Sequence, residues 1–283
     1  MIELPEALAL AEQMTAALTG RQIVAARANT SPHKFAFYTG DPGTYAERLP
    51  GRLVGPARTN GNMILVPLDE DLHLVLGEGG ERIFLHRPGA ALPAKHQLWL
   101  ALDDGSHLTV SIQGWGAVFL LDREELAAHP YAGRVALSPL DAAFTEEHLN
   151  ALLAALPAQD KRSIKAFIVS DPGVWCVGNG CLQDILFRAR LHPRTRAVSL
   201  DAEQRTALYG AIRHTLEKMV ALGGRDSELD LYGNPGRYAR ILHSGVVGRP
   251  CPVCSTAIEK QSFLGGSVYF CPACQPAGGA VRS

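Results

Sequence analysis

Ala7, Leu10, Ala11, Met14 and Leu18 recur at the three- and four-residue spacing of one helix face, Pro5 suits a first turn, and Gly20 can end it. The chain therefore opens on an amphipathic helix over residues 4–18. From Arg21 to Asp122 the period changes to short alternating or wholly apolar runs: QIVAARA, MILVPL, LHLVLG, LWLALDD, LTVSI and AVFLL. Turn formers such as Asp41-Pro42-Gly43, Asn60-Gly61 and Asp104-Gly105 separate them, a pattern that predicts an antiparallel β-sandwich or barrel. Helical spacing returns in TEEHLNALLAAL, where Thr145 is placed to cap and Glu146 and Glu147 occupy the first turn. It continues in KRSIKAFIVS, GCLQDILFRARL and DAEQRTALYGAIRHTLEKMVALGG. The expected class is α+β, with an N-terminal helix and sandwich over 1–135, a helical domain over 136–240, a cysteine-paired segment over 241–276 and a disordered tail over 277–283.

With 283 residues and 47% apolar content, the chain can bury one large core or two modest ones, and its length favours two domains. There is no 18-residue apolar run, and no basic stretch followed by an apolar segment and a cleavage site opens the chain. The expectation is a cytoplasmic, unprocessed protein with no membrane partner. Lys and Arg number 27 against 28 Asp and Glu, so the net charge of −1 announces no nucleic-acid partner, and any basic surface must be local.

Six cysteines are distributed unevenly: Cys176 and Cys181 lie mid-chain, while Cys251, Cys254, Cys271 and Cys274 crowd the end. CPVC and CPAC form a C-x2-C-x16-C-x2-C pattern, and two such knuckles can each offer two thiolates to one Zn²⁺. Zinc replaces the core that so short a segment cannot build, and four thiolates leave no open position for catalysis. Two disulfides are the alternative, disfavoured in a cytoplasmic chain. EKQSF and SVYF around Gly265-Gly266 suggest a β-hairpin ribbon, which can bind DNA, RNA or protein.

Mid-chain, Val177-Gly178-Asn179-Gly180 precedes a helical pattern, so that exposed amides and the positive dipole end suit a phosphate, with Asn179 able to donate. A plain turn with Asn179 as helix cap reads equally well from the local residues. VGNG followed by LFRARLHP, after a helix bearing Lys161 and Lys165 and before a four-cysteine finger, resembles the helix-two-turns-helix segment of the formamidopyrimidine-DNA glycosylase and endonuclease VIII family. The order of parts is also similar: an E-L-P-E start, a sandwich, this segment, a loop like GNPGRYARIL and the ribbon, together covering residues 1 to about 276.

The resemblance implies a sandwich and a helical domain that face each other across a basic cleft, binding double-stranded DNA with a lesion or abasic site. It further implies a nucleoid-associated monomer that flips the damaged nucleotide, because the glycosidic bond cannot be reached inside the stack. Asn179 would contact a phosphate, the ribbon hairpin would touch DNA beside it, and the loop over 233–240 would lie near the flipped base. Family members usually begin with a proline whose amine attacks the sugar; here that position is Ile2. A large second residue normally protects the initiator methionine, which leaves the terminal amine primary and displaced by one residue.

Glu3 and Glu6 keep the family's register, and Glu3 matches its acid at the sugar. A buried carboxyl of raised pKa there can activate water for simple hydrolysis, whereas both can also be ordinary acidic residues of a helix start. Four more places depart from the pattern. Asn62 stands for a lysine near the DNA backbone, Gln113-Gly114-Trp115 for an arginine and phenylalanine wedge, and Gly266 for the ribbon-tip arginine. The void-filling methionine falls at Glu78. Trp115 fits either a stacking wedge or a core tryptophan. Two functions follow: a glycosylase that hydrolyses the N-glycosidic bond with weak or absent lyase activity, or a catalytically inactive damaged-DNA-binding protein of the same fold. An RNA- or protein-binding zinc ribbon fits less of the chain.

Overall fold

The computed structural model describes residues 1–77, 79–170 and 173–277. Its helices are α1 (Leu4–Leu18), α2 (Tyr45–Arg48), α3 (Arg123–Ala128), α4 (Glu146–Ala154), α5 (Ile164–Val169), α6 (Asn179–Arg188) and α7 (Ala202–Ala221). The strands are β1 (Ile23–Ala28), β2 (Ala36–Tyr38), β3 (Arg58–Asn60), β4 (Met63–Leu68), β5 (Leu72–Gly77), β6 (Glu81–His86), β7 (Leu98–Leu102), β8 (His107–Ile112), β9 (Gly116–Asp122), β10 (Glu259–Phe263) and β11 (Gly266–Phe270). Two compact units divide the chain, one formed by Met1–Val135 with Val220–Tyr238, the other by Ala136–Met219 with Ala239–Ser283.

In the first unit, sheets ordered β1-β7-β8-β6 and β2-β9-β5-β4-β3 share one apolar core with α1. Strand alternation sends Ile64, Val66, Leu74, Leu76, Val118 and Leu120 inward, and α1 adds Ala7, Leu10, Ala11, Met14 and Leu18. Pairing is antiparallel except at β2, which runs parallel to β9. The strand β6 was not anticipated, because the charged ends of ERIFLH hide its alternation.

The return of residues 220–238 to the first unit departs from the expected 136–240 domain. Its physical cause is a set of contacts that no local pattern encodes. Leu231 is fully buried in the sandwich core, Leu85 N–H donates to the Leu231 carbonyl at 2.9 Å, and Gln13 accepts from Leu231 N–H at 2.9 Å.

In the second unit, Thr145 Oγ1 caps α4 by accepting from His148 N–H, and Ser163 Oγ caps α5 by accepting from Ala166 N–H. The ribbon turn sits one residue earlier than its glycine pair suggests. Leu264 and Gly265 both take positive φ, 50° and 70°, and Gly266 already pairs with Phe263. Among the described residues, no helix is long and apolar enough to cross a membrane. Residues 278–283 of the predicted tail lie outside the described residues.

Candidate functional site: the N-terminal turn and the zinc-supported helix

The start of α1 is built as a reciprocal cap: Glu6 Oε2 accepts from Glu3 N–H at 3.1 Å, and the Glu3 side chain accepts from the Glu6 backbone. Both carboxylates are buried and meet Arg225, which the sequence reading had not singled out. Arg225 Nη1 donates to Glu3 Oε1 at 2.9 Å, while its Nε and Nη2 donate to Glu6 Oε1 and Oε2 at 2.9 and 2.7 Å. The backbone N–H of Arg225 adds a bond to Glu6 Oε1 at 3.0 Å, and Nη2 a bond to the Met1 carbonyl at 2.8 Å. Burying two carboxylates without a partner would be costly; the guanidinium supplies the opposite charge in the planar, two-pronged geometry that suits Glu6. Glu6 is thereby fully occupied as a holder, and Glu3 stands fixed beside it.

Ile2 is not a presented nucleophile. Its side chain is 3% exposed in the sandwich core, and its N–H donates to the Gly79 carbonyl at 2.9 Å. The Met1 ammonium pairs with Glu228 Oε2 at 2.8 Å, and Arg82 Nη1 binds the same oxygen at 2.9 Å. These two cations hold the Glu228 carboxyl below the usual range although burial pushes it up.

The turn that receives Ile2 is zipped to the loop carrying Trp115. Gly80 N–H donates to the Trp115 carbonyl at 2.8 Å and Gln113 N–H to the Gly80 carbonyl at 2.7 Å. Glu81, 1% exposed, accepts from Gly79 N–H at 3.0 Å and from Ala117 N–H at 2.8 Å. Burial pushes the Glu81 carboxyl up to about 7 despite these amides. A side chain on Gly79 or Gly80 would overlap the carbonyl oxygens of Trp115 and Gln113, so only glycine permits this approach. Trp115 itself is 42% exposed and not a core residue. Asn62 lies in the β3–β4 turn after Gly61, which takes a positive φ. Glu78 lies outside the described residues.

Within the second unit, Asn179 is the first residue of α6 and Gly178 is its N-cap, so Asn179 is not the cap. Its Nδ2 donates to the Ser267 carbonyl at 3.1 Å, its Oδ1 is buried with no hydrogen-bond partner among the described residues, and Gln183 Nε2 reaches the same carbonyl at 3.1 Å. Lys165 Nζ donates to the Phe263 carbonyl at 2.7 Å, and burial lowers the pKa of its ammonium. A Cβ on Gly266 would lie 3.6 Å from Lys165 Nζ and 3.7 Å from Asn179 Nδ2, so the ribbon tip rests on these two side chains.

The four cysteine sulfurs lie within 4.8 Å of one another, with Cys254 Sγ 3.4 Å from those of Cys271 and Cys274, and Cys251 3.9 Å from Cys274. A tetrahedral four-thiolate zinc with bonds of about 2.3 Å places its sulfurs about 3.8 Å apart, which these distances match, and they are too long for disulfides. Val253 N–H and Cys274 N–H each donate to a knuckle sulfur at 3.4 Å, as thiolates require. Cys251, Cys254, Cys271 and Cys274 thus hold one structural Zn²⁺.

The family model "Formamidopyrimidine-DNA glycosylase H2TH domain" matches residues 135–230, and "Zinc finger found in FPG and IleRS" matches 248–277. The formamidopyrimidine-DNA glycosylase of Symbiobacterium thermophilum is 30% identical over 280 residues, covering 98% of this chain and 90% of the relative. That of Laribacter hongkongensis is 32% identical over 282 residues, covering 97% and 100%. The structure of Lactococcus lactis Fpg in complex with DNA containing an abasic site superposes with a TM-score of 0.84 at 20% identity, over 97% of this chain and 100% of that one, a likeness of fold. Sandwich, helix-two-turns-helix, four-thiolate ribbon and relatedness along the whole chain agree, and the chain belongs to the formamidopyrimidine-DNA glycosylase family.

Proposed function

We propose that this protein is a DNA-repair glycosylase, acting in the cytoplasm on the nucleoid, that binds duplex DNA at a damaged or modified base. It turns the nucleotide out of the stack and hydrolyses its N-glycosidic bond with little or no strand cleavage. The observation that carries this reading is the pairing of a buried amide at Ile2 with a carboxylate at Glu3 fixed by Arg225. An amide nitrogen that donates to Gly79 has no lone pair for a Schiff base, and an ammonium bound by Glu228 is a poor nucleophile. A carboxylate held in one place can take a proton from water as the water oxygen bonds to the anomeric carbon. The carbon–nitrogen bond breaks as that bond forms, and its electron pair leaves with the base. Glu6 and Arg225 act as positioning residues. Asn179, Asn62, Trp115 and the ribbon tip at Gly266 are proposed to meet DNA.

The second reading, a DNA-binding protein without turnover, draws on the same clamp, since a fully paired carboxylate pair also serves a helix start. The assay is incubation of protein with its native N-terminus with duplexes carrying 8-oxoguanine, formamidopyrimidine, thymine glycol, uracil, an alkylated base or an abasic site. Base release without borohydride trapping is expected. Trapping on Met1 or Ile2 overturns the hydrolytic route, and binding to an abasic analogue with no release from any lesion establishes the second reading. Glu3→Gln should slow release by about 10²-fold or more while binding persists.

A further inference from the structure

In the second unit, a cavity of about 430 Å³ opens between the segment that joins α6 to α7 and the start of α7. Its lining is polar and includes His192, Arg194, Thr195, Arg196, Ser199 and Asp201. His192 is 5% exposed, its ring held edge-on against Phe270 at 4.5 Å between centroids. Its Nδ1 accepts from Arg194 N–H at 3.2 Å, which places the ring proton on Nε2. That N–H has no partner among the described residues, so a buried donor of the lining is left for whatever enters. The Arg194 guanidinium lies 4.1 Å from the Phe263 ring centroid, and its Nε donates to Gln261 Oε1 at 3.2 Å. Arg196 Nη2 donates to the Asp160 carbonyl at 2.8 Å. These partners are neutral groups, and neither guanidinium forms a salt bridge among the described residues. The Asp201 carboxylate is engaged by Gln204 N–H, which donates to its Oδ1 at 2.8 Å.

Backbone bonds fix the segment before any ligand arrives. Thr195 N–H donates to the His192 carbonyl at 2.9 Å, Ile164 N–H to the Thr195 carbonyl at 2.7 Å and Ala197 N–H to the Arg162 carbonyl at 3.1 Å. We propose that this cavity binds the phosphate of a nucleotide, held by Arg194, Arg196 and the His192 Nε2 donor, as a site of which Asn179 is no part. Guanidinium forks match the oxygens of a phosphate, and the imidazole N–H adds a donor fixed in place. The volume is several times that of a lone phosphate and within the range of small-ligand sites, so a sugar fits beside it and meets Thr195, Ser199 and Asp201. A free nucleotide and a strand of DNA offer the same chemistry.

The test titrates the full-length zinc-loaded protein, at fixed pH and ionic strength, with inorganic phosphate, deoxyadenosine 5′-monophosphate and a duplex carrying a tetrahydrofuran abasic analogue. The His192 ring is followed by NMR, and its Hε1 resonance should shift saturably, whereas sodium chloride should leave it in place. The double variant Arg194→Gln/Arg196→Gln, altered at two exposed side chains, should bind the same probe about tenfold or more weakly. Asp201→Asn keeps the acceptor for Gln204 N–H, removes the negative charge of the lining and should tighten binding several-fold. A His192 shift with the duplex, together with a salt slope shallower by about 1 in the double variant, identifies a DNA strand as the source of the phosphate. A shift with the nucleotide and unchanged duplex affinity in the double variant identifies the free nucleotide. No saturable shift with any of the three probes, undiminished affinity in the double variant, or no tightening in Asp201→Asn overturns the inference. None of these readouts involves base release, so the result stands whatever the chemistry at Glu3.

Discussion

Arg225 and Glu3 are 222 positions apart, and nothing in the composition of GGRDSELD announces that its guanidinium joins the chain start. The register of Glu3, Pro5 and Glu6 was readable because a helix start and a family motif coincide there; the cation that fixes them was not, because ion pairing across a fold leaves no spacing to read. Glu81 is a further case: its acidity gave no sign of burial, since two backbone amides, not a charged partner, satisfy it. Its pH effect follows directly. The carboxyl titrates at about 7 in the fold against 4.5 when exposed, so between those values the folded state holds a proton that the unfolded chain has released. Stability from this group is complete below pH 4.5 and is lost as the pH rises through about 7. Denaturant unfolding of the wild type and Glu81→Gln from pH 4.5 to 8 should show their difference changing by about 3 kcal/mol, the wild type losing more on the alkaline side. A pH-independent difference would place the Glu81 titration elsewhere.

At the scale of elements, α1 was plain in the sequence because one buried face imposes a helical period, and the strands MILVPL, LHLVLG and AVFLL because burial on both faces makes them nearly continuous apolar runs. Short or charge-ended pieces such as β2, β3 and β6 were not, because three-residue strands and buried charges carry no period. The helix drawn over KRSIKAFIVS forms only from Ile164 to Val169, where Ser163 caps it. In the ribbon, four spaced cysteines gave the metal, while the turn slipped one place because Leu264 tolerates the positive φ that a glycine pair would suggest. Removing zinc with a strong chelator should release one equivalent per chain. Amide exchange protection should then be lost across Glu259–Phe263 and Gly266–Phe270 but kept in β4, β5 and β9. Retained protection in the ribbon would show that its small apolar cluster of Phe187, Leu242, Ile258 and the cysteines suffices without metal.

At the scale of the molecule, residues 220–238 return to the sandwich unit, so the two units are interleaved in sequence. That arrangement was hidden from a reading that moves along the chain, whereas the class of the fold was not. A net charge of −1 also constrains how such a protein meets DNA, since phosphate must be neutralised by cations gathered locally. Each neutralised phosphate adds about 0.9 to the slope of log affinity against log salt, and a slope steeper than about −3 is expected for a lesion duplex. A slope shallower than about −1 would mean that no such basic tract engages.

The Gly79-Gly80 zipper has a last consequence for selectivity. Backbone in close contact with Gly79 and Gly80 leaves the loop that carries Trp115 little freedom to reshape itself. Under the proposed contact of Trp115 with DNA, the cost of fitting falls on the nucleic acid, and candidate substrates are ranked by how cheaply each helix can be distorted rather than by how far the protein adapts.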